Sequence, residues 1–364
     1  MTAEREPLEV TQLLLGILDE GRRTATYKLA VLLALFDCCA LGSDADGSAP
    51  AELTTRQLAE RVVELYWPQV RLHGGSGRVL RQTSQRTALT VAAVSALREA
   101  AQGTRANTVA MAARVLPEAY ARCLAAVELN LARMPLGKLQ RPQGYLEADN
   151  SDYPRFLYDD AAFTERVRAR DLPLPIRLQP GVGDALVSVA GLVRPLVELH
   201  WLRDVSRFNR LSLAEDNLRE FLFGSHRMSL DAVRPGLVEL QEEKCFYCRR
   251  TLTTSSAHVD HFVPWSRVPN DGLANLVAAD ARCNGGKSDH YADLDLVQRW
   301  NERPRAGLSE LERNAGWPLQ RSATLGSIRS LYGHLPTGAR LWSSPGTFTL
   351  LDAARRNDLL PELA

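Results

Sequence analysis

The stretch from Cys245 to His290 constrains this chain more than any other, because it packs thiols, imidazoles, carboxylates and carboxamides into one ordered run. Cys245-Phe246-Tyr247-Cys248 is followed by His258-Val259-Asp260-His261. Asn275 comes next, then Asp280 and Cys283-Asn284-Gly285-Gly286-Lys287-Ser288-Asp289-His290. Two cysteines separated by two residues have the spacing of a knuckle, a tight turn whose thiolates grip one zinc ion. Cys283 supplies a third thiolate. Asp280, one helical turn before it, stands where a paired ligand completes four-coordination, with His290 or His258 as substitutes. A small subdomain with little core of its own gains stability from such a staple.

Val259 to Pro264 alternates as a strand does, so Asp260 and His261 point to opposite faces unless the strand end is kinked. A neutral imidazole near pH 7 is suited to taking a proton from water. A carboxylate beside it suits a hard divalent ion such as magnesium. A polar loop, Trp265 to Ala274, leads to Asn275. A helix is predicted from near Asp280, with Asn284 and Lys287 at i and i+3 on one face. Asn284 offers a carbonyl oxygen to the ion at Asp260. Lys287 faces a phosphate, and His290 joins it one turn on.

Taken together, Asp260-His261, Asn275, Asn284 and Lys287 with the knuckle cysteines resemble an HNH endonuclease of the His-Me-finger (ββα-metal) class. The run Asn284 to Asp289 is also similar to the HNH domain of RNA-guided CRISPR nucleases, which lack the knuckle. The likeness covers about 60 residues. It implies His261 as general base, Asp260 and Asn284 as ligands of one catalytic magnesium or manganese ion, and Asn275 as the pin of the loop that aims the His261 ring. It also implies a structural zinc at Cys245, Cys248, Asp280 and Cys283, although Asp280 stands where Cys or His is more usual. His290, Arg282, Arg78 and Arg81 are the expected DNA contacts. Double-stranded DNA is the expected partner, and a homodimer would cut both strands. Restriction or anti-phage defence is the context such a protein implies. A zinc-stapled binding or scaffold module without cleavage, and a nuclease acting on RNA, are the alternatives.

The rest of the chain reads as helical. With 364 residues and 45% hydrophobic content it is long enough for two domains. Net charge is +1, so any nucleic-acid surface must be local. Arg71, Arg78, Arg81 and Arg86 form one such local cluster, in a glycine-rich loop. The expected fold is mainly α. A helical N-terminal domain over 1–228, for targeting, regulation or dimerisation, precedes a small treble-clef-like ββα HNH subdomain over 229–305. A C-terminal helical extension over 306–364 packs on the body. Helices are predicted over 25–41, 53–67, 85–102, 106–134, 184–208, 212–223, 230–242, 294–302 and 323–332. Cys38, Cys39 and Cys123 fall in apolar helical runs and read as buried thiols. The N-terminus lacks a secretory leader pattern, and the most apolar stretch, Leu29 to Leu41, is too short to span a bilayer. A cytoplasmic protein without membrane contact is therefore expected.

Overall fold

The structure is a computed structural model that describes residues 4–19, 23–74, 77–85, 88–104, 106–141, 155–211, 217–223 and 230–364. It divides into two compact units. One comprises Met1–Cys39 with Pro50–His226, the other Ala40–Ala49 with Arg227–Ala364.

The first unit is a helical bundle. Its helices are α1 (Pro7–Asp19), α2 (Tyr27–Leu41), α3 (Thr55–Tyr66), α4 (Leu89–Ala101), α5 (Val109–Val115), α6 (Pro117–Arg133), α7 (Val182–Asn209) and α8 (Asn217–Phe223). Two short antiparallel pairs accompany them: β1 (Glu52–Thr54) with β4 (Pro175–Arg177), and β2 (Leu72–His73) with β3 (Arg78–Val79). Helix α2 is apolar on every side and is buried from Leu29 to Phe36, as a core helix must be. Its one carboxylate, Asp37, is fully buried and tolerated because Arg194 and Arg61 both pair with it. Helix α3 starts on a capping box. The Thr54 hydroxyl accepts from the Gln57 amide at 3.2 Å, and the Gln57 side chain accepts from the Thr54 amide at 2.8 Å. The helix expected over 106–134 is two, because Pro117 lacks the amide to continue α5 and instead opens α6. Of the helix expected over 212–223, residues 212–216 lie outside the described residues.

The second unit carries the motif. After α9 (Arg234–Leu240), strands β5 (His258–His261) and β6 (Leu276–Ala279) pair antiparallel, with Asp260 opposite Val277 and His261 opposite Leu276. Helix α10 (Ala281–Lys287) follows directly, which completes the expected ββα arrangement. Then come α11 (Leu294–Asn301), α12 (Arg305–Ala315), α13 (Arg321–Gly333), the hairpin β7 (Arg340–Ser344) and β8 (Thr347–Leu350), and α14 (Ala353–Glu362). Helices α12 and α14 and the closing hairpin are not among the elements read from the sequence, which gives a helical extension there with one helix over 323–332.

The loop before β6 is braced by these C-terminal residues. The Leu273 and Ala274 amides donate to the carbonyls of Pro318 and Leu319, at 2.9 and 3.0 Å. Buried Arg303 donates to the carbonyls of Ala274 and Leu276, and the Trp300 indole donates to Ala274 at 2.7 Å. The Gln241 side chain bonds both the amide and the carbonyl of Ala278, extending the edge of β6 as another strand would. Pro318 and Leu319 thus brace the hairpin's loop within the second unit. Among the described residues, no helix is long and apolar enough to cross a membrane.

Residues 40–49 join the second unit through α13. A Cβ at Gly326 would lie 2.1 Å from the Leu41 carbonyl oxygen, so only glycine permits this approach. Helix propensity alone would make Gly326→Ala stabilising by about 1 kcal/mol. The clash reverses the sign, and the expected outcome is a loss of about 1–3 kcal/mol in urea unfolding. An unchanged or higher midpoint would contradict this packing.

Candidate metal and catalytic site

Four ligand atoms converge at the start of α10. The thiols of Cys245, Cys248 and Cys283 and a carboxylate oxygen of Asp280 all lie within 4.8 Å of one another. The knuckle is shaped by backbone. The Cys245 amide donates to Arg250 at 2.8 Å, Arg249 donates back to Cys245 at 3.0 Å, and Arg249 takes a left-handed φ of 64° to close the turn. The Phe246 amide donates to Ala278 at 2.9 Å, docking the knuckle on β6. Arg299 caps the carbonyls of Phe246 and Tyr247 at 3.0 and 2.7 Å.

Asp280 does two jobs. One oxygen accepts the Cys283 amide at 2.8 Å as the N-cap of α10, and the other accepts the Cys248 thiol at 2.8 Å. Burial would raise its pKa, but hydrogen bonds from Cys248 and from the Cys283 amide outweigh that and hold it at about 2. Burial pushes the thiols of Cys248 and Cys283 up, and the carboxylate beside them adds to it. A divalent cation among these four groups would displace the thiol protons, and three thiolates with one carboxylate suit zinc. Asp280, rather than either of its substitutes, is grouped with the three thiols. His258 is exposed, and His290 packs edge-on against Phe348 at 5.0 Å.

At the other end of α10, Lys287 is fully buried. Its ammonium lies 3.3 Å from Asp260 Oδ2 and donates to the His261 carbonyl at 2.7 Å. Burial lowers its pKa, and the Asp260 charge works against that. The sequence expected this cation to face a phosphate. The structure turns it inward instead, because the hairpin offers it a carboxylate and a carbonyl. Tyr247, buried inside the knuckle, donates its hydroxyl to the same Asp260 Oδ2 at 2.6 Å. Burial and the Asp260 charge push the phenol pKa well above its ordinary value, so it remains a donor. Both donors crowd onto Oδ2. Asp260 Oδ1 has no protein donor among the described residues. Asn284 is half-buried on α10, one turn before Lys287.

The His261 ring finds a different partner from Asp260. Its Nε2 lies 2.7 Å from Asp271 Oδ1. Asn275 is fully buried and ties the intervening loop. Its Oδ1 accepts the Val263 amide at 2.8 Å, its Nδ2 donates to Val263 at 3.1 Å and Asn270 at 2.9 Å, and its carbonyl accepts the Phe262 amide at 2.7 Å. Phe262 in turn stacks on Trp300.

Of the expected nucleic-acid contacts, Arg282 and His290 belong to the second unit and Arg78 and Arg81 to the first. Arg282 is exposed on α10 and Arg78 is exposed on β3. Arg81 curls onto the carbonyls of Ser84 and Gln85 at 3.2 and 3.3 Å, and Arg71 donates to the Phe221 carbonyl at 2.8 Å. Arg86 lies outside the described residues. Sequence reasoning missed Tyr247 and Asp271. Tyr247 could have been flagged as a phenol locked between two ligands. Asp271 sits in a turn-like Asn-Asp-Gly string that looks like any polar loop.

Residues 245–292, which hold all of these groups, match the family described as HNH endonuclease. Residues 7–222 match the family described as Domain of unknown function (DUF8808), over more than half of the 364 residues. No curated protein matches the chain. Among solved structures, the crystal structure of the Type II-C Cas9 enzyme from Actinomyces naeslundii is similar, at 16% identity and a TM-score of 0.19. The alignment covers 89% of this chain and 44% of that one, so the chain spans less than half of that protein's length. The chain belongs to the DUF8808 family by residues 7–222, and in residues 245–292 it carries an HNH endonuclease domain.

Proposed function

We propose that this protein is a divalent-metal-dependent DNA endonuclease whose hydrolytic centre is Asp260, His261 and Asn284, stapled by zinc at the opposite end of α10. The observation that carries the reading is the division of labour on Asp260. Tyr247 and Lys287 both hold Oδ2, and Oδ1 is left as a fixed, hard oxygen donor. With the Asn284 carbonyl, it forms a donor set that fits magnesium or manganese. The chemistry such an ion supplies is charge neutralisation on the phosphate and on the departing oxygen.

The residues of the chain do the rest. The His261 imidazole takes the proton of the attacking water, which generates the nucleophile at neutral pH. Lys287 holds the His261 carbonyl and Asn275 the Val263 amide two residues on, so the imidazole needs no reorganisation before it accepts the proton. Water attack on phosphorus breaks the bond to the 3′ oxygen and leaves 5′-phosphate and 3′-hydroxyl ends. One such centre cuts one strand, and a homodimer on duplex DNA would cut two.

Plasmid nicking in Mg²⁺ should fall about 10²- to 10⁴-fold in His261→Ala. Equal nicking by both proteins would place the activity elsewhere. A tight DNA complex with no cleavage under any divalent ion would favour a binding module, and preferential cleavage of RNA would change the substrate. Elemental analysis of protein purified without added metal should find a single zinc ion per chain. Asp280→Cys should retain it and Cys248→Ser should lose it. A zinc content near zero in the unaltered protein would remove the staple.

A further inference from the structure

We infer that Asp271 is the positioning residue for His261, fixing the ring as the tautomer protonated on Nε2 so that Nδ1 is the nitrogen turned to water. This rests on the reading of His261 as the general base. A carboxylate has only acceptor oxygens, so the 2.7 Å contact between His261 Nε2 and Asp271 Oδ1 requires the hydrogen to sit on Nε2. In a neutral imidazole the other nitrogen is then the lone-pair acceptor. A base must present that lone pair, and the contact leaves Nδ1 to do it.

The carboxylate is not a chance surface partner. Its own backbone carbonyl accepts the Trp317 indole at 2.7 Å. The next amide, Gly272, donates to the Asn270 side chain at 2.8 Å, and Asn270 donates to Thr324 at 3.0 Å. A Cβ on Gly272 would lie 2.4 Å from that of Gln320, so the loop is pressed against the residues leading into α13. The imidazole is anchored as well, through the His261 carbonyl held by Lys287. Both ends of the contact thus stand on immobilised backbone, and side-chain packing sets their separation. The His261 side chain is 18% exposed and that of Asp271 36%. Water reaches the pair, and the carboxylate can be replaced without opening a core. Asp271 does not touch substrate in this scheme. It acts through the ring.

The test uses the full chain with ¹⁵N-labelled histidine, read by long-range proton–nitrogen correlation, with the His261 signals assigned by their loss in His261→Gln. The unaltered protein should show the Nε2–H pattern. Asp271→Ala should shift His261 to a mixture of tautomers and lower kcat for plasmid nicking about 10- to 100-fold, with KM, zinc content and Tm unchanged. Asp271→Glu should restore part of the rate. Because the Trp317 bond uses backbone, neither variant removes a packing contact. An Asp271→Ala protein with the original tautomer and undiminished kcat overturns the inference and leaves the nuclease reading standing. A tautomer shift in a protein that cleaves nothing does the reverse.

Discussion

A single buried ammonium organises the functional end of this protein. Lys287 reaches from the last turn of α10 to Asp260 and to the carbonyl of His261, so one cation fixes both neighbouring residues of β5. Its burial is tolerable because each of its near partners is an acceptor, and the Asp260 carboxylate is tolerable because Tyr247 and Lys287 both donate to it. Remove the pairing and the Lys287 charge is left uncompensated in a buried position. The carboxylate that is expected to meet a metal is thus also the group that permits the helix to dock.

Helix α10 has only seven residues, too few to be stable in isolation. It exists because both of its ends are tied. Asp280 caps its first turn and joins the thiol cluster, and Lys287 anchors its last turn on the hairpin. The cluster and the Asp260–His261 pair are therefore mechanically connected through one short rod. Tyr247 makes the connection twice over, since it springs from the knuckle and bonds the same oxygen that Lys287 holds. A structural metal in such an arrangement sets the geometry of a centre it does not touch. Behind the loop, Arg303, Trp300 and Trp317 satisfy backbone carbonyls that would otherwise be buried unpaired, and Thr324 accepts from the Asn270 side chain. The C-terminal residues are in this sense part of the site.

What could be read from the sequence followed local rules. The alternation around Asp260 signalled a strand, and the knuckle spacing located a cluster whose fourth member, Asp280, was named from its place one turn before Cys283. Each of these depends on residues close in sequence. The failures share a different cause. Lys287 was aimed outward because lysines ordinarily are, and nothing nearby in sequence reveals that Asp260 lies under it. Asp271 was passed over because its role depends on a ring ten positions away across a loop. The helix over 106–134 was joined because alanine-rich periodicity outweighed Pro117. The closing hairpin was lost because its register is set by partners rather than by composition.

The sequence by itself determined the residue types and their order: three thiols and a carboxylate for one cation, a hairpin ending in Asp-His, and a capped helix carrying a carboxamide and a lysine. It determined these because ligand spacing, alternation and capping are short-range properties of the chain. Only the tertiary structure decided which oxygen of Asp260 is free, which way Lys287 points, and which nitrogen of His261 is engaged. Those outcomes turn on contacts between residues far apart in sequence, where burial forces every polar group to find a partner and thereby fixes its direction.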